Sequence, residues 1–170
     1  MFQEMRRKKQ ALPPEECNAV LLRRTSGVLA LSDQDGYPYA VPLSYAFDGE
    51  RIYFHCAKAG RKLNIIRQNS RASFCVIDQD QVVPEEYTTY FRSVMVFGTI
   101  RILEDTAEKR ATIEKLAVKY APDDSHGHRS QMIDRDWGPL CMLEMSIERI
   151  TGKEAKELVR ARAHTNHSDA

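Results

Sequence analysis

Phe54-His55-Cys56-Ala57-Lys58-Ala59-Gly60-Arg61-Lys62-Leu63-Asn64-Ile65-Ile66-Arg67 is the stretch from which the rest of the chain can be read. It opens as the end of an alternating apolar run, passes through Lys58, Ala59 and Gly60, and continues with the spacing of a short helix beginning at Arg61 and Lys62. A strand that feeds a cationic helix N-terminus through a glycine can hold a phosphate. The N–H groups there lack intrahelical partners, the helix dipole favours an anion, and two basic side chains add charge-assisted bonds.

Working back from this stretch, Arg51 to Ala57 reads as a strand, and Asp48-Gly49 turns into it from a run that alternates over Tyr37 to Phe47. That run carries two prolines. A proline cannot donate to a central ladder, so Pro42 predicts an edge or a bulge whose backbone faces something other than a neighbouring strand, a ligand being one option. Asp33-Gln34-Asp35-Gly36 is a turn, Val28 to Ser32 a buried strand, and Gly27 the stop of a helix that opens at Leu12-Pro13-Pro14-Glu15-Glu16 and buries Cys17, Val20 and Leu21.

Working forward, Arg71 to Asp78 is a strand, Gln79 to Tyr87 a polar loop, and Thr88 to Leu103 a long β-prone run bent at Gly98. Asp105 and Glu108 form a capping box for a helix with Ile113, Leu116, Ala117 and Tyr120 on one face, ending near Pro122. Asp123 to Trp137 reads as a polar loop and Pro139 to Ile150 as the last strand. From Gly152 a short helix precedes a polar tail, Ala161 to Ala170, expected to be disordered. Short antiparallel strands with a few helices between them predict one mainly β domain over residues 1–170, closed or nearly closed into a barrel.

The 170 residues carry a net charge of +1 with both signs interspersed, which excludes a strongly basic nucleic-acid surface. The basic cluster Arg6 to Lys9 is not followed by an apolar core like that of a secretory signal, and no apolar run reaches the ~18 residues of a membrane span, so a cytoplasmic protein is expected. Cys17, Cys56, Cys75 and Cys141 are widely spaced and read as buried reduced thiols. His126-Gly127-His128 lacks further placed ligands and reads as surface, not as a metal site; His164 and His167 in the tail read as solvated.

The segments Y-P-Y-A-V-P-L-S-Y, R-I-Y-F-H-C-A-K-A-G-R-K, Y-F-R-S-V-M-V-F-G and I-E-R-I-T-G-K, in that order, resemble the FMN-binding split-barrel superfamily typified by pyridoxamine 5′-phosphate oxidase. Within it they are most similar to the branch of 5-nitroimidazole resistance proteins. The resemblance spans roughly Met5 to Lys153 and implies a homodimer of antiparallel split β-barrels with FMN at the subunit interface. By the same resemblance Arg61 and Lys62 match the basic pair that holds the FMN phosphate. Ala40, Val41, Pro42, Leu43 and Ser44 match the strand lining the ring edge, which would explain Pro42. His55, Cys56 and Ala57 match strand positions beside the flavin, and Ser93 matches a polar residue that reaches the cofactor. The Arg160 to His167 segment does not reproduce the pattern with which the oxidases bind pyridoxal phosphate, so oxidation of pyridoxamine phosphate is not expected.

The implied activity is reduction of a small nitroaromatic or quinone-like acceptor, with His55 as the candidate catalytic residue because nitro reduction consumes protons as well as electrons and an imidazole titrates near neutrality. Trp137 is either a core plug or a lid over the substrate pocket. Arg92 is expected to pair across the dimer or to be exposed. No G-x-G-x-x-G follows a strand, so NAD(P)H or another donor would bind only transiently. Two other readings stay open: a non-catalytic flavin- or haem-binding module, and a flavin-dependent oxidase of another small molecule.

Overall fold

Six runs form the strands β1 (Ser26–Ser32), β2 (Pro38–Phe47), β3 (Arg51–Ala57), β4 (Arg71–Val83), β5 (Thr88–Leu103) and β6 (Leu140–Glu154), with burial alternating most clearly along β4 and β5. All adjacent pairs are antiparallel, and the sheet closes in the order β1-β2-β3-β6-β5-β4, the barrel expected from the sequence. The computed structural model describes residues 2–168, with side chains described as far as residue 162. Asp169 and Ala170, and the side chains of His164 and His167, lie outside it. Among the described residues no helix is long and apolar enough to cross a membrane.

The barrel is filled by the inward positions of these strands. The rings of Tyr45 and Phe54 each meet Phe74 edge-on with centroids 5.0 Å apart, and all three side chains are fully buried. The first helix, α1 (Pro14–Arg23), starts on Pro14 with Glu15 and Glu16 in its first turn and buries Cys17, Val20 and Leu21. Tyr45 Oη donates to the Leu21 carbonyl oxygen at 2.8 Å, which fastens α1 to the barrel. Gly27 does not stop this helix. It lies in β1, where a Cβ would stand 2.5 Å from Phe74 Cζ, so its role is to let β4 approach.

Closure is uneven. β2 and β3 share only three residue pairs, Tyr45↔Phe54 to Phe47↔Ile52, next to their turn, whereas β2 pairs with β1 along seven residues. The Tyr45 N–H points to the β1 side, donating to Thr25 O at 3.2 Å. Backbone polar groups alternate sides along an antiparallel strand, so Ala40, Pro42 and Ser44 turn theirs toward the opening beside β3. The edge expected at Pro42 is there, as a seam in an otherwise closed ring.

Several elements differ from expectation. β4 runs on through the expected loop to Val83, making with β5 a ribbon that turns at a 3-10 helix, Pro84–Glu86, and at Tyr87 in the left-handed region (φ 51°). Gly98 marks the expected irregularity: the β5–β6 register shifts there, and a Cβ would lie 1.9 Å from the Ser146 carbonyl oxygen. β6 continues past Ile150 to Glu154. The helix α2 (Arg61–Gln68) caps one barrel end, and α3 (Thr106–Tyr120) begins as expected with Asp105 Oδ1 accepting from Glu108 N at 2.8 Å. The expected loop after it contains α4 (His126–Arg135), capped by Ser125. The last helix, α5 (Lys156–Ser168), occupies most of the segment expected to be disordered.

Arg92 is paired within its own chain and is not exposed. Its Nε and Nη2 lie 3.1 and 3.0 Å from Glu154 Oε2, and its Nη1 3.4 Å from Asp78 Oδ2. Asp78 sits at the register shift between Ile77 and Gln79, which turns its carboxylate toward α1. There Arg23 binds it at 2.8 and 2.6 Å and Arg24 at 2.7 Å. Burial alone would raise the Asp78 pKa, but the hydrogen bonds from Arg23 and Arg24 outweigh it and hold the group at about 2. Because the folded value is below the unfolded one, the stabilisation is present above about pH 4 and is lost as pH falls toward 2. It amounts to about 2 kcal/mol at neutral pH. Urea midpoints measured from pH 6 to pH 2 should therefore fall more steeply for the native chain than for Asp78→Asn, and parallel curves would contradict the assignment.

Candidate functional site

At one end of the seam, β3 gives way to Lys58, Ala59 and Gly60 before α2. Gly60 has φ 138°, a conformation that side chains rarely adopt, and no side chain caps the helix that follows. Lys58 N donates to Pro139 O at 3.2 Å, which fixes the exit from β3 against the start of β6. Arg61 is held by the β1–β2 turn: Nε lies 2.9 Å from Asp33 Oδ2, Nη2 2.7 Å from Asp35 Oδ2, and the guanidinium stands 5.6 Å from the Tyr39 ring centroid. The hydrogen bond from Arg61 holds the Asp33 carboxyl below its ordinary range. Lys62 is half-buried and makes no salt bridge or side-chain hydrogen bond among the described residues. An uncapped N-terminus, an oriented guanidinium and a free ammonium converge on this corner.

Along the seam, the predicted wall divides by parity. Ala40, Pro42 and Ser44 are exposed, whereas Val41 and Leu43 pack on the core, so the latter two can meet a ligand only through backbone. On β3, His55 and Ala57 face outward, while Cys56 faces the core opposite Cys141 in the β6 ladder. Burial, and then Cys141 beside it, pushes the Cys56 thiol up to about 12, so it is a neutral thiol and no nucleophile. All four cysteines are free, Cys17 and Cys141 fully buried and the other two partly so.

At the other end of the seam, Ser44 and His55 form part of the wall of a cavity of about 490 Å3 roofed by α3 and α4. This lies within the ~300–1,000 Å3 typical of small-molecule sites. Ile113, Leu116 and Ala117 from α3 and Met132 and Ile133 from α4 make most of its surface apolar. The structure thus brings Ser44 and His55 into one site, at the opposite end of the seam from the corner that holds Arg61 and Lys62, neither of which is on its wall.

Two predicted residues lie elsewhere. Trp137 is not on the cavity wall: it is half-buried under α3, with Lys109 Nζ 4.3 Å and Arg110 Cζ 5.9 Å from its ring. Ser93 pairs with Ile77 and Lys153, ten residues along β5 from Leu103, whose β6 partner Met142 lies opposite His55. By the β4–β1 and β1–β2 registers its row runs through Ile77 and Ser26 to Ser44, so three strand spacings, about 15 Å, separate it from the seam. Within one chain Ser93 and the seam do not meet. Missed in the sequence were Asp124, His128 and Arg129, which line the cavity from the start of α4. Ser125 at the helix cap and the Met132-Ile133 pair were the available signals.

Comparison with known proteins agrees with this architecture. The family model described as pyridoxamine 5′-phosphate oxidase matches residues 13–154. No curated protein matches by sequence. Among solved structures, an FAD-binding protein from Mesorhizobium loti is 28% identical, with a TM-score of 0.61, covering 86% of this chain and 98% of that one. A candidate 5-nitroimidazole antibiotic resistance protein from Bacteroides thetaiotaomicron is 19% identical with a TM-score of 0.69, covering 85% and 86% of the two chains. A protein named F420 reductase is 24% identical with a TM-score of 0.59, covering 81% and 98%. At these last two identities the likeness is one of fold.

Proposed function

Because the chain belongs to the pyridoxamine 5′-phosphate oxidase family, we propose that it is a flavin-dependent oxidoreductase that binds FMN along the β2–β3 seam and reduces a small nitroaromatic or quinone-like acceptor. The observation that carries this reading is the juxtaposition of an unpaired strand edge with an uncapped, cationic helix N-terminus. A flavin mononucleotide needs both, because it joins a phosphate to a flat ring rimmed with hydrogen-bonding groups. Arg61 and Lys62 would take the phosphate, and the backbones of Ala40 and Ser44 would face the ring. The similar proteins named as FAD-binding and as F420 reductase support a flavin-type ligand, and the single cationic helix N-terminus at Arg61 and Lys62 favours FMN, which carries one phosphate.

When bound, FMN supplies the redox chemistry. The chain supplies orientation and exclusion of water, through the apolar roof of α3 and α4 over His55. His55, on the outer face of β3, presents an imidazole where an acceptor in the cavity could take a proton. Ser93 would reach such a site only from a second copy, so the functional unit is a homodimer with the cofactor between subunits. The electron donor, NAD(P)H or another reductant, would visit transiently, since the chain has no G-x-G-x-x-G element of its own.

The test is direct. Purified protein titrated with FMN should retain it through gel filtration as a dimer, and anaerobic reduction followed by a nitroimidazole should reoxidise the bound cofactor. Absence of FMN retention would end this reading. His55→Gln should bind FMN within about threefold of the native chain but lose on the order of 100-fold in kcat for the nitro acceptor, the scale of a positioned proton donor. An unchanged kcat would remove His55 from the chemistry.

A further inference from the structure

The cavity beside His55 has a wall that the flavin reading leaves unused. Arg129 lines it from the first turns of α4. Its Nη2 donates to the Asp124 carbonyl oxygen at 2.8 Å, while its Nε is buried and has no acceptor among the described residues. The two carboxylates on the same wall do not relieve it, because each is engaged elsewhere. Asp124 takes His128 Nδ1 at 2.9 and 3.0 Å, and Asp136 takes Arg135 at 3.1 and 2.9 Å. Arg129 is thus a cation with no ion pair among the described residues, on the polar side of a wall that also carries Asp124 and Asp136.

We infer that this cavity binds a flat aromatic acid, its ring between the apolar faces of α3 and α4 and its carboxylate on the Arg129 guanidinium. A planar fork of N–H donors matches a carboxylate, and a planar ring suits the slot formed by Ile113, Leu116, Met132 and Ile133. Nε is closed off from the cavity, so the donor offered to an acceptor oxygen there is Nη1, which is not among the buried atoms and has no partner among the described residues. The inference rests on the proposed function in one respect: with flavin in the seam, Ser44 and His55 border both cofactor and ligand, and the aromatic acid becomes the class of acceptor offered for reduction.

Calorimetric titration with 4-nitrobenzoate and with its neutral analogue 4-nitrobenzyl alcohol tests the assignment, on the protein as purified and after loading with FMN. The acid should bind at least tenfold more tightly than the alcohol. Arg129→Gln should abolish that preference while leaving the alcohol unaffected, and Arg129→Lys should keep part of it. Met132→Trp, which fills the slot from a partly exposed position, should weaken both ligands. Equal affinities for acid and alcohol, or a preference that survives Arg129→Gln, would overturn the inference. Binding of 4-nitrobenzoate by protein that never retains FMN would support this site and overturn the flavin reading. Retention of FMN without 4-nitrobenzoate binding would do the reverse.

Discussion

Replacing Arg61 and Lys62 together by alanine should weaken FMN binding by on the order of 100- to 10,000-fold. Each charge-assisted bond to a phosphate contributes roughly 1.5–3 kcal/mol, and every 1.4 kcal/mol is about a factor of ten. The two residues should not contribute equally. Arg61 is already neutralised by Asp33 and Asp35, so a phosphate must share it, whereas Lys62 has no such competitor. Lys62→Ala alone should therefore cost more than Arg61→Ala. Folding should be nearly indifferent to both changes, because exposed ion pairs such as Arg61 with Asp35 contribute only ~0–1 kcal/mol. Fluorescence titration of FMN, with a thermal melt of the flavin-free protein as control, measures both. Normal FMN affinity in the double variant would mean that the phosphate, if one is bound, sits elsewhere.

The second large effect is on stability. Glu154 is fully buried at the end of β6, between Arg92 at 3.0 and 3.1 Å and Arg162 at 3.0 Å. Through Arg92 it continues to Asp78 and so to α1, making one chain of charges that ties β4, β5, β6 and α5 together. Removing one member of a buried pair leaves its partner's charge uncompensated, at a cost of ~3–5 kcal/mol. Glu154→Ala should therefore lower the thermal midpoint by about 10 °C. Replacing Arg92 and Glu154 together with methionine should recover only part of that loss, since Arg92 is no longer left unpaired but Arg162 still loses its carboxylate. A midpoint for Glu154→Ala within 2 °C of the native chain would show that the network adds little.

Strands such as β4 were legible because one face is buried and the other less so, with Ala72, Phe74 and Val76 inward and Ser73, Cys75 and Ile77 outward. The phosphate corner was legible for a different reason: glycine, arginine and lysine stand side by side in the chain, so the geometry is local. What escaped reading is non-local or polar. α4 presents Ile133 as its one fully buried residue, and its opening residues His126-Gly127-His128 carry no apolar period. With that helix unread, the cavity it roofs and Arg129 within it stayed invisible. The far half of β4 escaped likewise, since Gln79 to Gln81 lie in a ribbon beyond the barrel core and need no inward face. Ser93 shows a limit of another kind: resemblance placed it beside the cofactor, but strand order sets it three strands round the barrel from Ser44 of its own chain.

The seam has one more consequence, for what the chain must avoid. An unpaired strand edge is a template on which a stray strand can add, the usual start of aggregation. Along β2 the residues whose backbone faces the opening alternate as Pro38, Ala40, Pro42 and Ser44, so two of the four donors an intruding strand would need are absent. The carbonyl oxygens remain available to a ligand. The two prolines thus leave the edge receptive to a small molecule and a poor template for another polypeptide.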